Sequence, residues 1–145
     1  PDCIPTDTKA AGLYMICTLS KHEAEKNGFT DALMLDYKGR VSESTGSNIF
    51  LVINGEIHTP VPDCFLNGIT RQAVIEIAKN EGIKVIERDI YPDEIKNAEE
   101  IFLTGSAVEV TPVGKIDNQT FKVGDITAKI SSLYMKEVDP NYKDN

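Results

Sequence analysis

Tryptophan is absent from this 145-residue sequence and cysteine is scarce, with only Cys3, Cys17 and Cys64 present. Their number is odd, their spacings are wide and no CxxC pair occurs. A zinc knuckle or a paired redox motif is therefore not expected, and no metal ligand is singled out. Free thiols in a reducing, cytoplasmic compartment are the expectation instead. Long apolar runs are missing too. None approaches the roughly 18 residues of a membrane span, and no basic-then-apolar leader opens the chain, so no membrane partner is expected. Positive charge is in deficit, with 15 Lys and Arg against 23 Asp and Glu and a formal net charge of -8. Phosphate backbones need clustered basic side chains, so nucleic acid is not expected as a partner. Position 1 is Pro1 rather than Met, and the reading is that upstream sequence has been removed.

What is present suffices for one domain with a core of its own, at 41% hydrophobic and 26% charged residues. Residues 1–8 hold two prolines and no periodicity, and read as an extended lead-in segment. The domain proper is expected over 9–136 and a polar tail over 137–145. From Lys9 to about Lys26 the spacing predicts a helix with Leu13, Ile16 and Cys17 inward, closed by Asn27-Gly28. Residues 32–37 read as a buried strand, Lys38-Gly39 as a tight turn and 40–43 as a returning strand. The run 48–53 is a strong strand, Asn54-Gly55 carries the type I′ hairpin signal, and 56–60 pairs back. After a loop over 60–68, Thr70 is placed to cap a helix to about Glu81, with Ala73, Val74, Ile77 and Ala78 inward and Gly82 as its stop. Strands follow at 84–90, 101–105 and 108–113, a short helix at 92–98 and a turn at Asn118-Gln119. Asp125 is expected to cap a last helix with Ile126, Ile130, Leu133 and Tyr134 on one side. Loose alternation of strands and helices with hairpins gives an α/β or α+β domain around a mixed sheet.

Four stretches could carry chemistry, and each has a plain reading beside it. Lys9 precedes Ala10, Ala11 and Gly12, small residues that leave room for a flat ring beside its ammonium group. A desolvated lysine there could form a Schiff base, whereas a lone helical lysine is ordinarily solvated. Tyr14, five residues on, could donate to a ring oxygen or pack in the core. Glu43, in SESTGSN, either faces solvent or pairs with a buried cation such as a protonated pyridine nitrogen. Leu66-Asn67-Gly68-Ile69-Thr70-Arg71 stands ahead of a helix whose first N–H groups favour an anion. It reads as a phosphate seat or as an ordinary cap, with Arg71 better suited to an internal ion pair than to phosphate. Thr104-Gly105-Ser106-Ala107 ends a strand in small donors, suited to a phosphate or carboxylate, or forms a plain turn.

Taken in order, KAAGLY around Lys9, the DALMLD strand, SExxGxN from Ser42 to Asn48, LNGITR at 66–71 and GSAVEVTPV at 105–113 closely resemble the class IV (fold type IV) aminotransferases. Among these the branched-chain amino acid aminotransferases are the best match. The resemblance runs from about Thr6 to Lys136. It implies the large C-terminal domain of that fold, a mixed-sheet pseudo-barrel surrounded by helices, and pyridoxal 5'-phosphate as cofactor. It further implies that Lys9 is the Schiff-base lysine and proton shuttle, Glu43 the partner of the pyridine nitrogen, and Tyr14 a donor to the phenolic oxygen. Leu66 would pack on the ring, Gly68 sits at the phosphate seat, and Ile69, Thr70 and Ser106 would hold phosphate. Ser106 and the Ala107 N–H would meet the substrate carboxylate, and Gly46 and Asn48 lie close by in the family pattern. The implied reaction of the parent is transamination between branched-chain L-amino acids and 2-oxoglutarate. A D-amino-acid aminotransferase, an aminodeoxychorismate lyase or a non-catalytic module are the rival readings. A missing smaller N-terminal domain and a homo-oligomer are the implied partners, and the 145-residue piece is expected to be inactive or nearly so alone.

Overall fold

The apolar run Asn48–Ile53 (β3) is the strand from which the rest of the sheet extends. In the computed structural model, which describes residues 5, 6 and 8–143, the remaining strands are β1 (Leu33–Leu35), β2 (Val41–Ser44), β4 (Glu56–Thr59), β5 (Val85–Glu87), β6 (Glu100–Gly105), β7 (Glu109–Pro112), β8 (Lys115–Ile116) and β9 (Gln119–Thr120). β1, β2, β3 and β4 pair antiparallel in sequence order, and β5 joins β4 in parallel. β6 lies antiparallel along β3 from Asn48 to Val52, and β7 pairs antiparallel with β6. Since β6 takes one edge of β3, β2 and β4 divide the other, β2 meeting it at Asn48 and β4 at Leu51–Ile53. The sheet therefore forks at β3. Between β3 and β4, Asn54 and Gly55 both adopt positive φ, 52° and 73°, as a type I′ turn requires.

Both faces of β3 are apolar, and each builds its own core. Phe50, Val52, Phe102 and Val110 pack against α2 (Ile69–Asn80) and α3 (Asp125–Val138) through Val74, Ile77, Ala78, Ile130 and Tyr134. Phe50 and Phe102 are cross-strand partners with ring centroids 4.9 Å apart, a stacked pair that pins the register. On the other face Ile49, Leu51 and Ile101 meet Val41, Ile90 and Ile95, the last from a 3-10 turn over Pro92–Asn97. The fold is thus a mixed sheet with helices, the expected α/β arrangement. No helix among the described residues is long and apolar enough to cross a membrane.

Several local expectations are corrected. The first helix starts with a 3-10 turn at Ala11–Leu13 and runs as α1 over Tyr14–Lys26. Ile16, expected inward, is 60% exposed together with Met15 and Leu19. Leu13, Cys17 and Ser20 are the half-buried side. α1 has apolar residues on two sides, so its periodicity could not say which side faces the sheet. β1 is three residues long and half exposed rather than a buried strand over 32–37, because it is an outer strand of the sheet. α2 begins at Ile69 after Gly68, with no side-chain cap, so Thr70 is a buried first-turn residue and not the cap. Asp125 does not cap α3 either. The Glu100 carboxylate reaches from β6 to accept the N–H groups of Ile126 at 3.2 Å and Thr127 at 2.7 Å. The strands at 84–90 and 108–113 contract to β5 and β7, and the late turn falls on Asp117-Asn118 between β8 and β9. Of the lead-in segment 1–8, Cys3 and its immediate neighbours lie outside the described residues, as does the end of the tail over 144–145.

Candidate cofactor site

Glu43 sits on β2 directly opposite Asn48 of β3. Its carboxyl is half-buried and has no hydrogen bond or ion pair with any described residue. Desolvation pushes it up to about 7 from its ordinary 4.5, so it holds a proton far more readily than a surface carboxylate. A buried acid left without a donor is costly unless something else supplies the charge. Cys17, on the inner side of α1, lies within its field. Burial first, and then the Glu43 carboxylate, push the Cys17 thiol up.

Across β3, Asn48 is also in register with Thr104 of β6. The strand then ends in Gly105 and the exposed pair Ser106 and Ala107. A Cβ added to Gly105 would stand 3.3 Å from Ser47 Oγ and 3.5 Å from the Gly46 carbonyl, so the Gly46-Ser47 turn abuts the Gly105-Ser106 turn. Two of the stretches singled out by sequence are neighbours. The Thr104 hydroxyl is buried without a hydrogen-bond partner among the described residues.

The phosphate-seat motif joins the same region through side-chain amide bonds. Asn48 Nδ2 donates to the Leu66 carbonyl at 2.9 Å, and the Gly68 N–H donates to Asn48 Oδ1 at 3.2 Å. Leu66 is half-buried, Thr70 is buried, and Ile69 is 78% exposed at the first helical position. The first-turn N–H groups of α2 have no acceptor within their own helix, and the Gly68 cap supplies no side chain to them. An anion placed there meets the positive end of a 12-residue helix.

Lys9 and Tyr14 are both exposed, and no contact joins either side chain to Glu43, to the first turn of α2 or to Ser106 among the described residues. Lys9 is exposed, as are Ala10, Ala11 and Gly12, and no described residue covers its side chain. It makes no hydrogen bond or ion pair with a described residue. Tyr14 is also exposed. Their segment is tied to the rest by Thr6, whose hydroxyl donates to the Asp63 carbonyl at 3.2 Å in the loop before Leu66, and by Cys17 beside Glu43. No described contact runs from Lys9 itself to Glu43.

Two arginines support the region. Arg71, 1% exposed, donates to Glu87 Oε2 at 2.7 Å, to the Pro60 carbonyl at 2.9 Å and to Asn67 Oδ1 at 2.9 Å. Both Nη atoms are engaged, so it serves the internal pairing read for it and not the phosphate seat. Arg40 went unnoticed in the sequence. Its guanidinium reaches Asp36 at 2.6 Å, Asp89 at 2.7 Å and Asp63 at 2.9 Å, joining the first hairpin, the loop before α2 and the stretch after β5. Burial would raise Asp36, but donors from Arg40 and the Lys38 amide outweigh it and hold the carboxyl below its usual range. A weak signal existed: Arg40 follows Asp36 across a Lys-Gly turn, but its two distant partners could not be read locally.

This arrangement, an unpaired acid, an open helix start and a small-residue strand end held round one forked strand, suits a site for a flat anionic cofactor. The chain belongs to the amino-transferase class IV family, whose model matches residues 2–116. Within that family its relatives are of the branched-chain kind. It is 42% identical over 137 residues to a probable branched-chain-amino-acid aminotransferase of Rickettsia felis, covering 94% of this chain and 47% of that protein. A branched-chain aminotransferase from Thermoproteus uzoniensis, solved with norvaline, matches with a TM-score of 0.92 and 39% identity, over 94% of this chain and 46% of that one. An aminotransferase from Brucella abortus, solved bound to the cofactor PLP, matches with a TM-score of 0.90 and 38% identity, over 94% and 49%. The chain spans about half the length of the relatives it matches.

Proposed function

We propose that this chain carries the cofactor side of a pyridoxal-phosphate aminotransferase acting on branched-chain L-amino acids and 2-oxoglutarate. The observation that carries the reading is Glu43, a half-buried carboxyl with no donor of its own. A protonated pyridine nitrogen supplies the missing charge and hydrogen. The open first turn of α2 suits the phosphate at the other end of such a ring. The donor set therefore fits the group on two independent counts.

When bound, pyridoxal phosphate supplies an electron sink for charge developing at the substrate α-carbon. The residues of this chain do the rest. Glu43 keeps the ring nitrogen protonated. The N–H groups of Ile69 and Thr70, the Thr70 hydroxyl and Ser106 bind the phosphate, with Gly68 at the close approach and Gly46 and Asn48 beside it. Leu66 would lie against the ring, and Tyr14 would donate to its phenolic oxygen. Lys9 would hold the cofactor through its amine and, as a free amine, would take up and return the proton at the substrate α-carbon. The Ala107 N–H and Ser106 receive the substrate carboxylate.

The cofactor-binding unit is placed over 9–136, although α3 runs past that bound to Val138, and a smaller N-terminal domain is its companion. The exposure of Lys9 supports a site closed by that companion domain. Exposed Met15, Ile16 and Leu19 support a covering surface, in a homo-oligomer working in the cytoplasm. Borohydride reduction of the chain after incubation with pyridoxal 5'-phosphate, followed by peptide mapping, tests the assignment. Saturable label is expected on Lys9. Label on another lysine, or none, overturns it. The chain alone is expected to turn over little or no substrate, and full transaminase activity from these 145 residues would remove the need for a companion domain.

A further inference from the structure

We infer that Asn48 is a positioning residue that fixes the spacing between the acid end and the phosphate end of the proposed site. The inference rests on the cofactor reading above and adds a residue that acts through others. Asn48 is 5% exposed and spends both halves of its amide on the loop before α2, donating to the Leu66 carbonyl and accepting from the Gly68 N–H. Each amide atom is thus committed to that loop by one bond. Its backbone is in register with Glu43 on one side and Thr104 on the other. One residue thus stands opposite the acid, opposite the strand that delivers Ser106, and in bonding contact with the helix start that would seat the phosphate.

The chemistry requires an amide. One partner is an acceptor and the other a donor, so a carboxylate at position 48 would set an oxygen against the Leu66 carbonyl. The geometry also explains Gly68. Its φ of -61° is open to any residue, so backbone freedom is not the reason for glycine. A Cβ there would stand 2.6 Å from Asn48 Oδ1, so a side chain at 68 would push that oxygen off its bond with the Gly68 N–H. Asn48 and Gly68 act as a latch, one supplying reach and the other room. If the latch opens, the first turn of α2 is free to move relative to Glu43, and a rigid cofactor can no longer satisfy both ends.

The test compares pyridoxal 5'-phosphate with phosphate-free pyridoxal as probes. Each is titrated into the full chain, and half-saturation of borohydride-trapped label on Lys9 is read. In the unsubstituted chain the phosphate compound is expected to bind more tightly. In Asn48→Ala and Asn48→Asp that preference is expected to fall about tenfold, with pyridoxal itself unaffected. Gly68→Ala is expected to lower the preference in the unsubstituted chain and to add nothing in the Asn48→Ala background, where the obstructing oxygen is gone. An unchanged preference, an equal loss for both probes, or additive effects at 48 and 68 would overturn the latch while leaving the cofactor reading intact. No saturable label on Lys9 in the unsubstituted chain would overturn both.

Discussion

Arg71 and Glu87 meet at 2.7 Å with the guanidinium shut away from water and the carboxylate reaching into it. The two ends of this pair are therefore unequal in what their loss costs. Arg71 also holds the Pro60 carbonyl and Asn67, so its removal strips three partners and leaves a void beneath the loop before α2. Arg71→Ala is expected to lower the free energy of unfolding by about 3–4 kcal/mol. Glu87→Gln keeps an acceptor in place and should cost only about 1 kcal/mol. Urea unfolding at neutral pH separates the two. Equal losses would mean that the pairing with Glu87, and not the anchoring of the loop, is what Arg71 contributes.

Glu43 makes stability depend on pH in a direction opposite to that of an ordinary paired carboxylate. In the folded chain it holds its proton to about 7, whereas the unfolded chain releases it near 4.5. The folded state then binds more protons between those values, and stability falls as pH rises through that window. Above about 7 the full penalty is present, on the order of 2 kcal/mol after allowance for partial exposure. Glu43→Gln should be more stable than the parent chain by that amount at pH 8, with the gap closing toward pH 4.5. Chemical unfolding across this range checks it, and a gap independent of pH would show that Glu43 is not the titrating group.

α3 depends on a cap brought from another strand. Glu100→Ala removes the acceptor of two first-turn N–H groups and is expected to cost about 2 kcal/mol. Gly124→Ala would drive a methyl group into the Glu100 carboxyl and should cost a similar amount. In the double variant the obstruction no longer exists, so the two losses should not sum. Amide hydrogen exchange over Ile126–Lys129 reports the fraying directly, and unaltered exchange there would count against the cap.

The outer side of α1 contributes little to the stability of this chain. Ile16→Ser and Leu19→Ser are each expected to change it by less than about 0.5 kcal/mol, because both side chains already face solvent. Leu13→Ser, on the half-buried side, should cost more. Comparable losses at all three positions would mean that α1 packs differently in solution.

These variants also mark where the sequence was readable. β3, its Asn54-Gly55 turn and the inward face of α2 were legible because each is a local pattern: an apolar run, a dipeptide tolerant of positive φ, a stripe at helical spacing. The motifs around Glu43, Gly68 and Ser106 were legible as a set, and the fold gathers these three round β3. Lys9 is not gathered with them: it is exposed, with no contact to these three. What was missed is tertiary in origin. Asp125 looked like a cap because it precedes an amphipathic run, but the cap is Glu100, 26 residues from the first N–H it accepts. Arg40 draws on carboxylates 23 and 49 residues away, which no window of sequence displays. Ile16 was placed inward because a helix that is apolar on two sides offers no preferred direction until its neighbours are known.

The fork at β3 sets a rule for how such a chain can vary. Asn48 faces Glu43 along one border and Thr104 along the other, and two residues further on Phe50 stacks on Phe102. Adding or deleting a single residue in this strand would invert every side chain beyond it and disrupt both borders together. Homologous chains can therefore exchange side chains along β3 while its count stays fixed, and length differences among them should collect in the loops at its ends.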